Sequence, residues 1–350
     1  MVSERGLQVL RAIVQDYVDT NEPVGSKTIV DRHAFGVSAA TIRNDMAMLE
    51  DEELIVAPHT SSGRIPTDKG YRVFVDHLAT LRPLTPAQRA AISSFLDGPG
   101  DLDDLLVRTV RALTRLTGQV AIVQYPSFAQ ASLSHVELVQ LGSGRMLIII
   151  VTDTGRVSQR LAHVRVEFDG PDLQQLRGDV CEVVVGRSVR EGAQLVDERL
   201  AAASGRGADA IAPREAAFLE ILRGVAEELD EFRQDKLVLA GAANLARRES
   251  DFRGSIYPIL EAIEEQVALL RLVSEMVADD QGLSASIGRE NEPFGLGEAS
   301  VVASEYDATG SLARVGVMGP TRMDYPTNLA AVRAVARYLT RMLHEDDTAR

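Results

Sequence analysis

The chain is poor in the residues that several classes of function require. It has one cysteine, Cys181, in 350 residues, which excludes an internal disulfide framework and cysteine-rich zinc sites. It has no tryptophan and only 5% aromatic residues, few with which to line a ligand pocket. Its longest apolar run, Met146–Val151, has the length of a strand and falls far short of the ~20 residues of a membrane span. The first residues are polar and charged, without the apolar core of a signal peptide. These features predict a soluble cytoplasmic protein with no membrane partner. Positive charge is also scarce, 37 Lys+Arg against 51 Asp+Glu for a net −14, so bulk attraction to nucleic acid is absent.

Chemistry-bearing motifs are missing too. The six histidines (33, 59, 77, 135, 163, 344) are scattered without metal-binding spacing. Gly295-Leu296-Gly297 lacks the third glycine and the preceding strand of a dinucleotide fingerprint. No phosphate-loop lysine motif or G-x-S-x-G is present. We therefore expect no catalytic residue, no cofactor and no metal, and a protein that is not an enzyme.

What is present is concentrated in Val37–Thr67, VSAATIRNDMAMLEDEELIVAPHTSSGRIPT. Before it, Leu7, Leu10, Val14 and Tyr17 recur at helical spacing in a first helix from about Ser3 to Asp19, which Thr20–Pro23 breaks. A short second helix spans about Ser26–His33. Ser38 is a good N-cap for a third, reaching about Glu52. At ~100° per residue, Ile42, Met46 and Leu49 fall on one side of it, and Ala40, Arg43, Asn44 and Ala47 on the other, with Thr41 at the margin. Arg and Asn are the side chains that make bidentate contacts to guanine and adenine edges. Leu54–Ala57 then reads as a strand. His59-Thr60-Ser61-Ser62-Gly63-Arg64 forms a polar tip rich in donors for phosphate oxygens, with Gly63 allowing a positive φ. Pro66 keeps the second strand short. This order is that of a helix-turn-helix with a wing, and the same order also serves protein-interaction modules.

The first 80 residues carry eight basic and twelve acidic side chains. The acids cluster at Glu50–Glu53, whereas Arg64, Lys69 and Arg72 face only Asp68 between residues 59 and 72. Ser26 and Lys27, opening the second helix, also suit a phosphate. The charge is arranged although its total is unhelpful.

A helix over Asp68–Leu81 and a linker at Arg82–Pro86 close this first domain. The grammar then changes. A helix over Asp101–Leu116 leads to strand-like runs at Gln119–Tyr125, His135–Leu141, Arg145–Thr152 and Arg156–Val166, read together as one antiparallel meander. Helical stripes follow: Val189, Ala193, Val196 and Leu200, then Phe218, Ile221, Leu222, Val225, Leu229 and Phe232. The second is either core or a contact between subunits, with Phe218, Leu222, Val225 and Leu229 as the candidate contact. Beyond it lie a helix at Ile256–Val277, a strand at Leu283–Ile287, a hairpin pairing Ser300–Tyr306 with Leu312–Gly319, and a last helix carrying Leu329, Val332, Ala336, Leu339 and Leu343. Arg322 and Asp324 are expected to tie down the Gly319–Tyr325 loop, and Cys181 to be a small buried apolar group. The whole is an α+β multidomain chain.

The chain resembles the bacterial heat-inducible transcription repressors called HrcA. Glu22–Lys27, Val37–Met46 and Pro58–Thr67 carry the resemblance, with Gly70-Tyr71-Arg72 and Gly319–Tyr325. The resemblance implies a winged-helix domain (1–82), a GAF-like antiparallel-sheet domain (83–166 and 244–350) and a helix-rich dimerisation domain inserted into it (167–243), whose bounds rest on the change of grammar. It implies repression of chaperone operons by a homodimer on an inverted-repeat DNA operator, with activity modulated by the chaperonin GroEL. It assigns DNA contact to Ser26, Lys27, Ser38, Ala40, Thr41, Arg43, Asn44, His59, Thr60, Ser61, Ser62, Gly63, Arg64 and Lys69. A second possibility is a GAF-like domain that senses a small molecule and a winged helix that reports it.

Overall fold

The computed structural model describes residues 2–59, 62–77, 84–98, 101–127, 131–142, 144–204, 212–233, 236–252, 254–308 and 311–348. The chain forms two compact units. The first comprises Met1–Tyr125, Leu237–Tyr306 and Arg314–Leu339; the second comprises Pro126–Lys236, Asp307–Ala313 and Thr340–Arg350.

In the first unit, α1 (Glu4–Thr20), α2 (Ser26–Arg32) and α3 (Ala39–Asp51) pack together and run into a hairpin of β1 (Ile55–Val56) and β2 (Ile65–Pro66). Ser3 caps α1 by accepting from the Gly6 amide, and Ser38 caps α3 by accepting from the Thr41 amide. Val9, Leu10, Ile13, Ile29, Ile42 and Leu49 form the core between these helices, none more than 1% exposed. The strands pair Ile55 with Pro66 and Val56 with Ile65; the proline ends the ladder, as its missing N–H requires. Helix α4 (Asp68–Asp76) follows; of the Asp68–Leu81 expected for it, residues 78–81 lie outside the described residues.

Helix α5 (Pro86–Leu96) begins at the last residue of the expected linker, Arg82–Pro86, in a stretch that carried no expectation from sequence. Its start is a capping box, Thr85 with Gln88, followed by Pro86 at the first helical position, a signal the apolar pattern did not show. Helix α6 (Leu102–Thr117) leads to β3 (Val120–Gln124).

The second unit contains β4 (Leu133–Gly142), β5 (Arg145–Thr152) and β6 (Val157–His163), then α7 (Gly170–Val184), α8 (Val189–Ala203) and α9 (Pro213–Arg233). The first unit resumes with β7 (Leu237–Ala240), α10 (Ala242–Arg247), α11 (Tyr257–Glu265), α12 (Val267–Glu275), β8 (Leu283–Ile287) and most of β9 (Ala299–Ala308) and β10 (Ser311–Pro320), whose residues within Asp307–Ala313 belong to the second. Helix α13 (Tyr325–Thr348) ends the fold. The helix expected over Ile256–Val277 is split because Gln266 adopts a left-handed conformation, φ 60°.

The single meander expected from the sequence is two sheets. Strand β3 joins a five-stranded sheet in the order β7-β3-β10-β9-β8, while β4-β5-β6 form a separate sheet. Both neighbours of β3 are antiparallel and distant in sequence: Val123 lies opposite Val315 on one side and Val238 on the other. The three-stranded sheet therefore falls within the stretch Pro126–Lys236, wider than the 167–243 expected for the insertion. The five-stranded sheet packs one face on α10–α12 through Val120, Ile122, Leu269, Leu272, Val301 and Met318.

Within the second unit, one face of the small sheet (Val136, Leu138, Met146, Ile148, Ile150, Ala162) is buried, with α7 against β4 and α9 against β5 and β6. Arg160 reaches from β6 to Glu227, Glu228 and Glu231 of α9 at 2.7–3.2 Å. Leu222, Val225 and Leu229 are 0% exposed and belong to this core. They cannot supply the subunit contact proposed for them, because no part of their surface remains for a partner; Phe218 alone is half-buried. Cys181 is half-buried on α7, its thiol donating to the Val136 carbonyl, and burial pushes the thiol pKa up.

Helix α4 lies so close to the hairpin that only glycine fits at one position. A Cβ on Gly70 would stand 2.0 Å from the Leu54 carbonyl oxygen, itself bonded by the Thr67 amide at 3.1 Å. Backbone must move to admit a methyl group there, at a cost of about 1–3 kcal/mol. Gly70→Ala is expected to lower the denaturant midpoint by that amount with an unchanged m-value; an unaltered midpoint would contradict the close approach.

Candidate nucleic-acid interface

The site starts from α3. Its inward residues are those expected, Ile42, Met46 and Leu49, with one addition: Asp45 is 4% exposed. A buried carboxylate needs a charged, hydrogen-bonded partner, and Arg5 of α1 provides it with two bonds, Nε to Oδ2 at 2.7 Å and Nη2 to Oδ1 at 3.0 Å. That pair raises the Arg5 pKa, first through the hydrogen bond and then through the carboxylate's charge. The signal was legible, since Asp45 falls on the apolar side of the helical wheel. Asp16 of α1 does the same for α2, meeting His33 Nε2 at 3.2 Å and Arg32 at 3.6 Å.

Arg43 and Asn44 are exposed, as are Ala40 and Ala47. The small alanines leave the backbone open to close approach, and the two long polar side chains project from the N-terminal half of the helix. Ser38 is exposed and half-buried Thr41 faces it, their hydroxyls 3.1 Å apart. In α2, Lys27 is exposed and Ser26 half-buried, after an N-cap at Gly25 that lacks a side-chain acceptor.

The hairpin tip is braced internally. The His59 amide donates to Ser62 Oγ at 3.0 Å, and Ser62 Oγ donates to the His59 carbonyl at 2.7 Å. Thr60 and Ser61 lie outside the described residues. Gly63 does not use the positive φ expected of it; its role is close approach, since a Cβ there would stand 2.6 Å from the Pro23 and Val24 backbone. The neighbouring residue, Arg64, exchanges two backbone bonds of 2.9 Å with Val24, so the hairpin is anchored to the turn before α2.

Two of the assigned basic residues are committed elsewhere. Arg64 Nε donates to Glu50 Oε2 at 2.9 Å, and its Nη1 donates to the Ser62 carbonyl at 3.2 Å. Lys69 Nζ donates to the Glu52 carbonyl at 2.8 Å, closing the C-terminus of α3 where a cation also complements the helix dipole. Both sit at the far end of α3 from Ser38 and Arg43. Seven residues separate Arg43 from Glu50, about 10 Å along the axis.

The residues just after the hairpin form a joint to the rest of the first unit. Arg72 Nε donates to Glu290 Oε1 at 2.8 Å and Nη2 to the Ala285 carbonyl at 2.6 Å. Asp68 Oδ2 accepts from the Arg289 amide at 3.1 Å. The Tyr71 ring packs on Tyr325, centroids 5.6 Å apart at 44°, and the Tyr325 hydroxyl donates to the Thr321 carbonyl at 2.8 Å. Burial drives the Tyr325 pKa above the usual tyrosine range, so its hydroxyl stays a donor. Arg322 bonds the Val18 carbonyl at the end of α1 and Asp251 at 2.7 and 2.6 Å. Asp324 holds the other end of the loop, accepting from the Thr327 amide at the start of α13. A cleft of about 480 Å³ lies beside this joint, lined by Asp251, Arg289, Glu292, Glu298 and Arg322 among others. Such charged walls differ from the mostly apolar enclosures that hold small molecules.

Comparison with known proteins is consistent along the chain. A family model described as the HrcA protein C terminal domain matches residues 103–328. A heat-inducible transcription repressor HrcA from Clavibacter michiganensis is 60% identical over 99% of this chain and 100% of its own length. The protein of the same name from Leifsonia xyli is 56% identical over 98% and 99%. A crystal structure described as a hypothetical protein at 2.2 Å resolution is 25% identical with a TM-score of 0.65, covering 99% of each chain.

Because Arg72 and Glu290 bond each other across the joint, their substitutions should not add. In a double-mutant cycle with Arg72→Ala and Glu290→Ala, thermal unfolding should return a coupling of about 0.5–1 kcal/mol. Strict additivity would show that the pair contributes nothing to the joint.

Proposed function

The chain belongs to the HrcA family of heat-inducible transcription repressors, and we propose that it represses heat-shock chaperone operons by reading an inverted-repeat operator as a cytoplasmic homodimer. Negative control of heat-shock transcription follows from the family. The observation that carries the DNA reading is the exposed Ala40-Arg43-Asn44-Ala47 face of α3, set on a helix whose other face is locked by Asp45 and Arg5. That is the presentation a recognition helix of a winged-helix domain needs, with its N-terminal residues facing base edges. Lys27 and Ser38 supply donors for flanking phosphates, and the resemblance adds the wing residues His59–Ser62. The modulation by GroEL that the resemblance implies rests on family membership.

The dimer reading moves from α9 to the second unit's sheet. Val139, Leu141, Val157 and Leu161 are 38–63% exposed on the face away from the helices, and Leu147, Ile149 and Val151 are half-buried there. Val139 lies opposite Leu147, which lies opposite Leu161, in one apolar row across all three strands, and Val151 lies opposite Val157 in a second that ends at His135; Ile149 sits between them, flanked by Glu137 and Gln159. A contiguous apolar face on a charged surface marks an interaction site. A second copy is the fitting occupant, because a two-fold pair of readers matches an inverted repeat.

Two measurements test this reading. Selection from a randomised duplex pool should enrich an inverted repeat, and Arg43→Ala should bind that duplex about 1–3 kcal/mol more weakly with relaxed base preference; full selectivity in the variant would refute the assignment. Leu161→Glu should sediment as a monomer with its melting temperature nearly retained, since the side chain is solvent-facing in one subunit. A dimer that survives this change would place the contact elsewhere.

A further inference from the structure

The family resemblance would make Arg64 a DNA contact, and its place at the polar tip would make that contact a phosphate, but its surroundings argue for another role. Resting on the DNA reading above, we propose that Arg64 is a positioning residue, clamped by Glu50, that sets the wing's distance from the recognition helix and contributes no phosphate contact.

The guanidinium is already occupied. Nε and Nη2 both reach Glu50 Oε2, at 2.9 and 2.8 Å, and Nη1 donates to the Ser62 carbonyl. The Arg64 side chain is 27% exposed and that of Glu50 36%, so the pair is partly withdrawn from water and fixed on three sides. Its backbone is fixed as well, through both bonds to Val24. Glu50 belongs to α3 itself, two turns beyond Arg43, while Ser62 belongs to the tip. One side chain thus joins the helix that reads bases to the loop that follows the backbone. Were Arg64 to turn toward a phosphate, it would leave the Glu50 carboxylate uncompensated beside the DNA's negative charge, and like charges repel most where water is partly excluded. As a closed pair the two residues carry no net charge, so they release no counterions from the duplex and leave the salt dependence of binding unchanged.

The two roles predict opposite signs, which makes them separable. The duplex enriched from the randomised pool and its scrambled counterpart serve as probes across a salt series, with the full chain. If Arg64 is a positioning residue, Arg64→Ala and Glu50→Ala should each reduce the ratio of enriched to scrambled affinity by about two- to five-fold. Their combination should lose no more than either alone, and the salt slope should stay that of the unaltered chain. The reciprocal exchange, Glu50→Arg with Arg64→Glu, should restore part of the ratio and guards against simple misfolding of the single variants. A salt slope lowered by about one in Arg64→Ala, with tighter binding by Glu50→Ala, would identify a phosphate ligand and overturn the clamp. Unchanged ratios in both variants would overturn it equally. If the unaltered chain enriches no duplex, the DNA reading itself fails and the clamp with it, an outcome distinct from opposite signs in a chain that does bind.

Discussion

Helix α4 is the element on which the first unit turns. One side of it is pressed onto the hairpin at Gly70, where no side chain fits against the Leu54 carbonyl. The other side holds the five-stranded sheet's surroundings through Arg72, Asp68 and Tyr71. A helix gripped from both sides transmits orientation, because neither contact leaves room for rotation about its axis. The two runs outside the reader that resemble the family, Gly70-Tyr71-Arg72 and Gly319–Tyr325, meet at this joint. Their role is therefore mechanical: they hold the reader in place, with Arg322 bonding the end of α1 from the opposite direction.

The charge problem posed by composition is solved by pairing. An acidic chain that binds DNA must keep carboxylates away from phosphates, and here three acids of the helical region are turned inward or matched. Asp45 is buried against Arg5, Asp16 against His33 and Arg32, and Glu50 holds Arg64. Partly exposed pairs of this kind contribute about 0–1 kcal/mol each, so their value lies less in stability than in direction. Each fixes one helix or loop relative to another. Arg43 and Lys27 are exposed, and among the described contacts no carboxylate is bonded to either.

Legibility in the sequence followed the range of the interactions involved. The burial of Ile42, Met46 and Leu49 was readable from a period of 3.6, and the short second strand from Pro66. Where local signals competed, the reading failed. The start of α5 was taken for linker because Arg82–Pro86 is rich in breakers, although Thr85 and Gln88 form a capping box. Strand β3 was grouped with β4–β6 because they are consecutive, yet its partners are β7 and β10. The stripe on α9 was apolar enough for either a core or an interface, and periodicity does not distinguish the two.

By itself the sequence determined which residues face outward on α3, where the first three helices begin, and the family to which the chain belongs. These depend on local periodicity, caps and motif order, all encoded within a few turns of chain. Only the tertiary structure decided that Arg64 is held by Glu50, that Leu222, Val225 and Leu229 are core, and that an apolar sheet face is left open instead. Those outcomes depend on which distant groups arrive within about 3–4 Å of one another, the range over which hydrogen bonds and packing act. Nothing in the spacing of residues along the chain encodes that distance.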